Sequence, residues 1–162
     1  GRPLYEFSIH YLDIVQKFFG IPEIKTTHTF NHKHLDIPFE DTLYSIAEYG
    51  GGVSGNIEFN VASEPSNLEC SISVLGSKGF LKINGKALDE VERASFEDES
   101  LEKKYEEIVE EAEGSSTSNP NGGSCPKHPT LYKEIAEGRG FKASESVPSI
   151  KFIEEIYKHE VK

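Results

Sequence analysis

Methionine and tryptophan are absent from this chain of 162 residues, and cysteine occurs only twice. Cys70 and Cys125 form no CxxC pair and no Cys/His zinc spacing. Neither a disulfide framework nor structural zinc is therefore expected, and two free thiols fit a reducing, cytoplasmic setting. No apolar run is long enough for a membrane-spanning helix. The opening Gly1-Arg2-Pro3-Leu4 lacks the basic-then-apolar order of a signal peptide. Without an initiator methionine, Gly1 reads as a processed start, a cloned start or the edge of a fragment. Positive charge is scarce as well: 17 Lys and Arg stand against 28 Asp and Glu, a net charge of -11. A nucleic-acid duplex or an anionic membrane needs a basic face, and none is visible, so neither is expected as a partner.

Hydrophobic residues make up 36% of the chain, enough for a real core in one domain, or in one domain with an insertion. Residues 4–19 predict an amphipathic helix with Leu4, Phe7, Tyr11, Ile14, Val15 and Phe18 on its apolar stripe, stopped by Gly20 and Pro22. Residues 24–34 look extended. Apolar and polar residues alternate over 56–61, 69–75 and 79–84, the pattern of antiparallel strands with one buried face, and Cys70 falls inward on that alternation. Gly50-Gly51-Gly52 and Gly76-Ser77-Lys78-Gly79 punctuate these strands as turns. Residues 100–113 predict a charged helix, 114–125 a flexible loop, 128–137 a short helix and 148–159 a last one. That last helix takes Ser146 as a possible N-cap and Ile150, Ile153, Ile156 and Tyr157 as its inner face. The segregated order predicts an α+β fold: a largely antiparallel open sheet with helices packed on one face.

Several constellations carry chemistry. Gly50-Gly51-Gly52-Val53-Ser54-Gly55 fits GxGxxG literally, but a strand follows it, whereas a dinucleotide fingerprint must open a helix whose N-terminus meets the pyrophosphate. A hairpin turn explains the glycines. Glu6, His10, Asp13 and Lys17 recur on one helical face, so His10 has a carboxylate on either side. A carboxylate orients an imidazole for general acid/base work. The plainer alternative is a wet face with ordinary ion pairs. His28, His32 and His34 share one side of a regular strand but have no third ligand fixed by spacing, so no metal is expected. His128 and Tyr132 lie one turn apart at a helix start, where an anion or a hydroxyl-rich ligand can be met, or where the turn is simply capped.

The segment Gly1-Arg2-Pro3-Leu4-Tyr5-Glu6-Phe7-Ser8-Ile9-His10-Tyr11-Leu12-Asp13 resembles the G-G-x-L-x-D-x-G-x-H-x-x-D motif of the Gfo/Idh/MocA family of NAD(P)-dependent oxidoreductases. Phe18 to Pro22, Glu40-Asp41-Thr42, the glycine turn at 50–55, Leu75 to Gly79, His128 to Gly138 and Pro148 to Tyr157 follow in that family's order. The resemblance spans nearly the whole chain, but only the C-terminal domain of the family. The Glu-Lys-Pro motif and the Rossmann fingerprint of the nicotinamide domain are not in this sequence.

The resemblance implies a substrate-binding and oligomerisation domain of a sugar or nucleotide-sugar dehydrogenase, forming a homo-oligomer through its sheet face. NAD or NADP would belong to the intact protein, bound mainly by the other domain, with none expected in this chain. His10 falls on the family's catalytic His, and Glu6 replaces an Asp with a side chain one methylene longer. Tyr5, His128 and Tyr132 fall where substrate is contacted, and Asp13 on a position better suited to structure. Ser8 and Arg2 stand where the family has glycines. Two other readings stay open: a non-catalytic dimeric module, and the same domain of an NAD-assisted glycoside hydrolase.

Overall fold

Glycines and prolines set the first boundaries of the structure, a computed structural model that describes residues 2–66, 68–85, 88, 90–114, 128–138 and 142–161. Pro3 leads into a π-helical turn, Leu4–Ser8, that continues as helix α1, Ile9–Phe19. Gly20 ends α1 at φ +79°, a conformation that costs glycine nothing, and its N–H caps the Gln16 carbonyl at 2.8 Å. Strands β1 (Glu23–Phe30), β2 (Thr42–Tyr49) and β3 (Val53–Asn60) follow, then β4 (Ile72–Gly76), β5 (Gly79–Asn84) and β6 (Glu90–Phe96). Helices α2 (Glu99–Gly114), α3 (His128–Ala136) and α4 (Val147–Lys158) come next, and a two-residue strand, β7 (Glu160–Val161), closes the chain.

The strands form two open sheets, with orders β3-β2-β1-β7 and β4-β5-β6. Among the described residues every pairing is antiparallel except β1 with β7. The chain divides accordingly into two compact units, residues 1–67 with 141–162 and residues 68–140. The expected α+β class stands, with its strands shared between two sheets. The loop expected at 114–125 lies, beyond Gly114, outside the described residues, as does Cys125.

In the first unit, β2 shows the alternation that makes one face wet and the other dry. Leu43, Ser45 and Ala47 are buried, while Tyr44, Ile46 and Glu48 are exposed. The dry face meets Ile24 of β1, Phe59 of β3, Leu4 and Leu12 of the first helical segment, and Phe152, Ile153 and Ile156 of α4. α4 packs on both α1 and β1. Each fully buried Leu, Ile or Phe contributes about 1.5–3 kcal/mol of hydrophobic stabilisation. Two polar side chains inside this layer satisfy each other: Thr27 and Ser45 hydroxyls lie 2.9 Å apart.

Helix α1 differs in phase from the sequence pattern, whereas α4 keeps the expected Ile153, Ile156 and Tyr157 inward and departs at Ile150. In α1 and its leading turn the inward residues are Leu4, Ile9, Leu12 and Val15, whereas Phe7 and Phe18 are 57% and 77% exposed. The π turn is the cause. Its extra residue moves the stripe, so that Leu4 is followed inward by Ile9, five residues on. In α4 the buried set is Ser149, Phe152, Ile153 and Ile156, and Ile150 turns outward. Ser146 sits at the cap position without making a capping side-chain bond. A short helical turn at Ala143–Ser146 precedes α4 instead, tied by the Lys142 N–H donating to Glu145 at 2.7 Å.

In the second unit, α2 packs on β6 through the Phe96 and Tyr105 rings, 6.1 Å apart. The Phe96 N–H donates to Glu102 at 2.7 Å, and Asp98 accepts the Ser100 N–H at 2.8 Å at the helix start. Cys70 lies just ahead of β4, half-buried with a free thiol, rather than inside the strand.

Candidate functional site

His10 stands on the first turn of α1, directly after the π-helical turn that carries Tyr5 and Glu6. Glu6 and His10 are both exposed, and Tyr5 is half-buried. Among the described residues no hydrogen bond or ion pair reaches the imidazole, so its ring nitrogens stay available to a ligand. Only part of the expected four-residue face forms. Asp13 pairs with Lys17 at 2.6 Å and accepts the Ser149 hydroxyl of α4, also at 2.6 Å. Partial burial pushes the Asp13 carboxyl up, but its bonds from Lys17 and Ser149 outweigh this and hold it below the usual range. Asp13 thus joins two helices instead of flanking His10.

Beneath the π turn lies a polar clasp that links remote parts of the chain. The Arg2 guanidinium donates to Glu40 Oε2 from Nε at 3.1 Å and from Nη2 at 2.8 Å, and to Glu160 of β7 from Nη1 at 3.0 Å. Tyr157 of α4 donates its hydroxyl to Glu40 Oε1 at 2.6 Å. Glu40 is buried, and a buried carboxylate is tolerated only when paired in this way. Thr29 of β1 donates to Glu160 at 2.5 Å. Burial drives the Tyr157 hydroxyl well above its ordinary pKa, and the bond to Glu40 adds to the shift. Tyr5 stacks on the Tyr157 ring with centroids 5.9 Å apart, so this candidate substrate contact is also part of the clasp.

Over residues 1–158 the sequence matches the family described as the oxidoreductase family, C-terminal alpha/beta domain. The chain belongs to the Gfo/Idh/MocA family. Solved structures agree in fold. The WlbA dehydrogenase from Bordetella pertussis, in complex with NADH and UDP-GlcNAcA, has a TM-score of 0.77 at 23% identity, over 98% of this chain and 45% of its own. The WlbA dehydrogenase from Chromobacterium violaceum, with the same two ligands, gives 0.76 at 22% identity, over 98% and 44%. Levoglucosan dehydrogenase, in complex with NADH and levoglucosan, gives 0.64 at 14%, over 96% and 48%. This chain therefore spans less than half the length of these neighbours. No curated protein matches the sequence.

The glycine run that fits GxGxxG is a hairpin turn and not the start of a helix. Gly50–Gly52 turn the β2–β3 hairpin, with Gly51 and Gly52 at φ +75° and +79°, and Tyr49 pairs with Val53 across the turn. No helix N-terminus follows to meet a pyrophosphate.

His128 opens α3 and Tyr132 follows one turn later, 67% exposed; both belong to the second unit. The structure thus groups Tyr5, Glu6 and His10 on one segment and His128 with Tyr132 on another. The histidine row does not form as expected. β1 ends at Phe30, so His32 and His34 lie in the loop beyond it. His28 Nε2 lies 3.2 Å from the Thr26 hydroxyl, and His32 stacks on Phe30 with centroids 5.5 Å apart. Among the described residues no group of three or more His, Cys, Asp or Glu could hold a metal.

What shapes that loop is Asp41. Its buried carboxylate accepts the N–H groups of His32, Lys33 and His34 at 2.7 to 3.0 Å, and the Thr42 hydroxyl at 3.0 Å. Burial works to raise the Asp41 pKa, yet those bonds hold it far below the usual carboxylate range. The clasp leaves no pattern in the sequence because its members lie 38 to 158 positions apart, and the Asp41 loop leaves none because Asp41 meets backbone N–H groups, which carry no residue signature. The one local signal was an acidic pair, Glu40-Asp41, immediately before an apolar strand.

Proposed function

We propose that this chain is the substrate-binding and oligomerisation domain of an NAD(P)-dependent sugar or nucleotide-sugar dehydrogenase of the cytoplasm. His10 is the proton-transfer residue and Glu6 orients it or binds the substrate, with Tyr5, His128 and Tyr132 as further substrate contacts. The supporting observation is the setting of His10 within a Gfo/Idh/MocA domain. Its imidazole is exposed and uncommitted among the described residues, beside a turn that departs from α-helical geometry. Such π turns recur at functional sites.

In this reading an imidazole nitrogen of His10 accepts the proton of a substrate hydroxyl as the carbon bearing it is oxidised, and returns it in the reverse direction. A nicotinamide held by the rest of the protein supplies the hydride chemistry. This chain supplies the binding surface and the proton acceptor. The 15N-labelled chain titrated with UDP-GlcNAcA tests the reading. Binding is expected, weakened about tenfold or more by His10→Ala and by His128→Ala, as for loss of a charge-assisted hydrogen bond. Affinities that the two substitutions leave unchanged would refute the assignment.

A second reading, a non-catalytic dimer platform, draws on the wet face of the first sheet. Tyr44 and Ile46 are 43% and 47% exposed there, next to Phe30 on β1, at 43%. Self-association through this face would give a mass in light scattering that rises with concentration and falls on Ile46→Glu. Dimers without any sugar binding favour this reading over the first.

A further inference from the structure

A helix start leaves its first N–H groups without partners, and here the neighbouring residue gives no help. Pro3 makes no side-chain capping bond, and Leu4 is fully buried. The Leu4 N–H is met from another element, by the Tyr157 hydroxyl of α4 at 3.3 Å. The Tyr157 ring also carries the Arg2 guanidinium 3.7 Å from its centroid and stacks on Tyr5. One side chain therefore holds residues 2, 4 and 5, the stretch that feeds the π turn. Glu40 fixes that side chain in turn, accepting its hydroxyl proton at 2.6 Å.

The winding of this turn decides which way the candidate residues face. Leu4 and Ile9 both point inward at a separation of five, which suits a π turn and not an α turn. Rewinding residues 4–8 as an α turn, with α1 kept in place, would rotate Leu4 off the core and displace Glu6 relative to His10. Isolated π geometry is uncommon and persists where its surroundings hold it.

We propose that Tyr157 is a positioning residue for Glu6 and His10, holding the π turn wound so that both face a substrate hydroxyl in a fixed relation. This rests on the reading of His10 as the proton-transfer residue, and the test separates the two. Tyr157→Phe removes the hydroxyl and keeps the ring on Arg2 and Tyr5. In the labelled full chain, exchange of the Leu4 amide should accelerate about tenfold or more. The Glu6 amide and His10 ring resonances should move, while those of Ile153 and Ile156 in α4 stay in place. Affinity for UDP-GlcNAcA should fall about tenfold, as for loss of a supporting hydrogen bond behind a binding group.

Ser149→Ala, which loosens the contact between α1 and α4 without touching Tyr157, is the control. It should leave the Leu4 to Ser8 amides as they are. A protected Leu4 amide and unmoved His10 resonances in Tyr157→Phe overturn the proposal. So does an equal disturbance of the turn by Ser149→Ala, which would mark general loosening. If the wild-type chain and His10→Ala bind the nucleotide sugar equally, the reading of His10 fails, while the exchange and resonance data still decide whether Tyr157 holds the turn.

Discussion

The Asp13 carboxylate accepts the Ser149 hydroxyl at 2.6 Å, joining α1 to α4 across 136 positions of sequence. A polar pair inside a helix–helix contact fixes how the two helices meet, because a slip of either one takes the acceptor from the buried Ser149 hydroxyl and leaves Asp13 with only its own-helix partners, Lys17 and Gln16. Ser149→Ala is expected to lower stability by about 1.5–3 kcal/mol, the range for a hydrogen bond to a charged group. Urea denaturation followed by far-ultraviolet circular dichroism measures this. An unchanged midpoint would show that Lys17 alone satisfies Asp13.

Acid should destabilise the first unit through Asp13 and Asp41, whose pKa values folding lowers. A carboxyl lowered in this way contributes stability that is fully present above its unfolded pKa, about 3.9. That contribution is lost as pH falls through the folded value. Unfolding free energy should therefore hold steady near neutrality and decline below about pH 4. Asp41→Asn should flatten that decline. Identical slopes for the variant and the parent chain would contradict the role given to the Asp41 loop.

Core phase in α4 can be read by comparing neighbours. Phe152→Ala, at a fully buried site, is expected to cost about 3–5 kcal/mol. Ile150→Ala, at a position 39% exposed, should cost well under half as much. Thermal melts of the two variants check the order, and the reverse order would place Ile150 in the core.

Hydride transfer requires a cofactor held against the reacting carbon, and the β2–β3 hairpin glycines open a strand where a pyrophosphate site needs a helix start. The chain incubated with NAD or NADP and UDP-GlcNAcA is expected to produce no reduced nicotinamide, as followed by its ultraviolet absorbance. Sustained reduction would overturn the division of labour proposed for His10.

Much of this architecture was legible because local patterns report local structure. The glycine run at 50–55, ahead of the alternation over 56–61, announced a hairpin, and the structure pairs β2 with β3 in register across it. β6 was not legible: Glu90, Glu92 and Arg93 give its exposed strand no apolar alternation to detect. β7 is two residues long and exists only because β1 lies beside it. The inner face of α4 was misread at Ser149, a polar residue buried by its bond to Asp13. At the candidate site, Glu6 and His10 were visible from spacing and motif, but the Tyr157–Glu40 bond spans 117 positions and leaves no local trace. Nor does a π turn announce itself in a helical apolar pattern, and the stripe assigned through Phe7 and Phe18 suffered for it.

The first unit is discontinuous in sequence, with residues 68–140 intervening between its two parts. On a ribosome, β1, β2 and β3 are complete long before α4 and β7 exist. Phe152, Ile153 and Ile156, which fill the space above Leu43 and Ala47, arrive last. At roughly 5–20 residues per second the delay is several seconds. Throughout that interval the dry face of the sheet has no α4 to cover it, and apolar surface exposed in this way during synthesis is prone to aggregation.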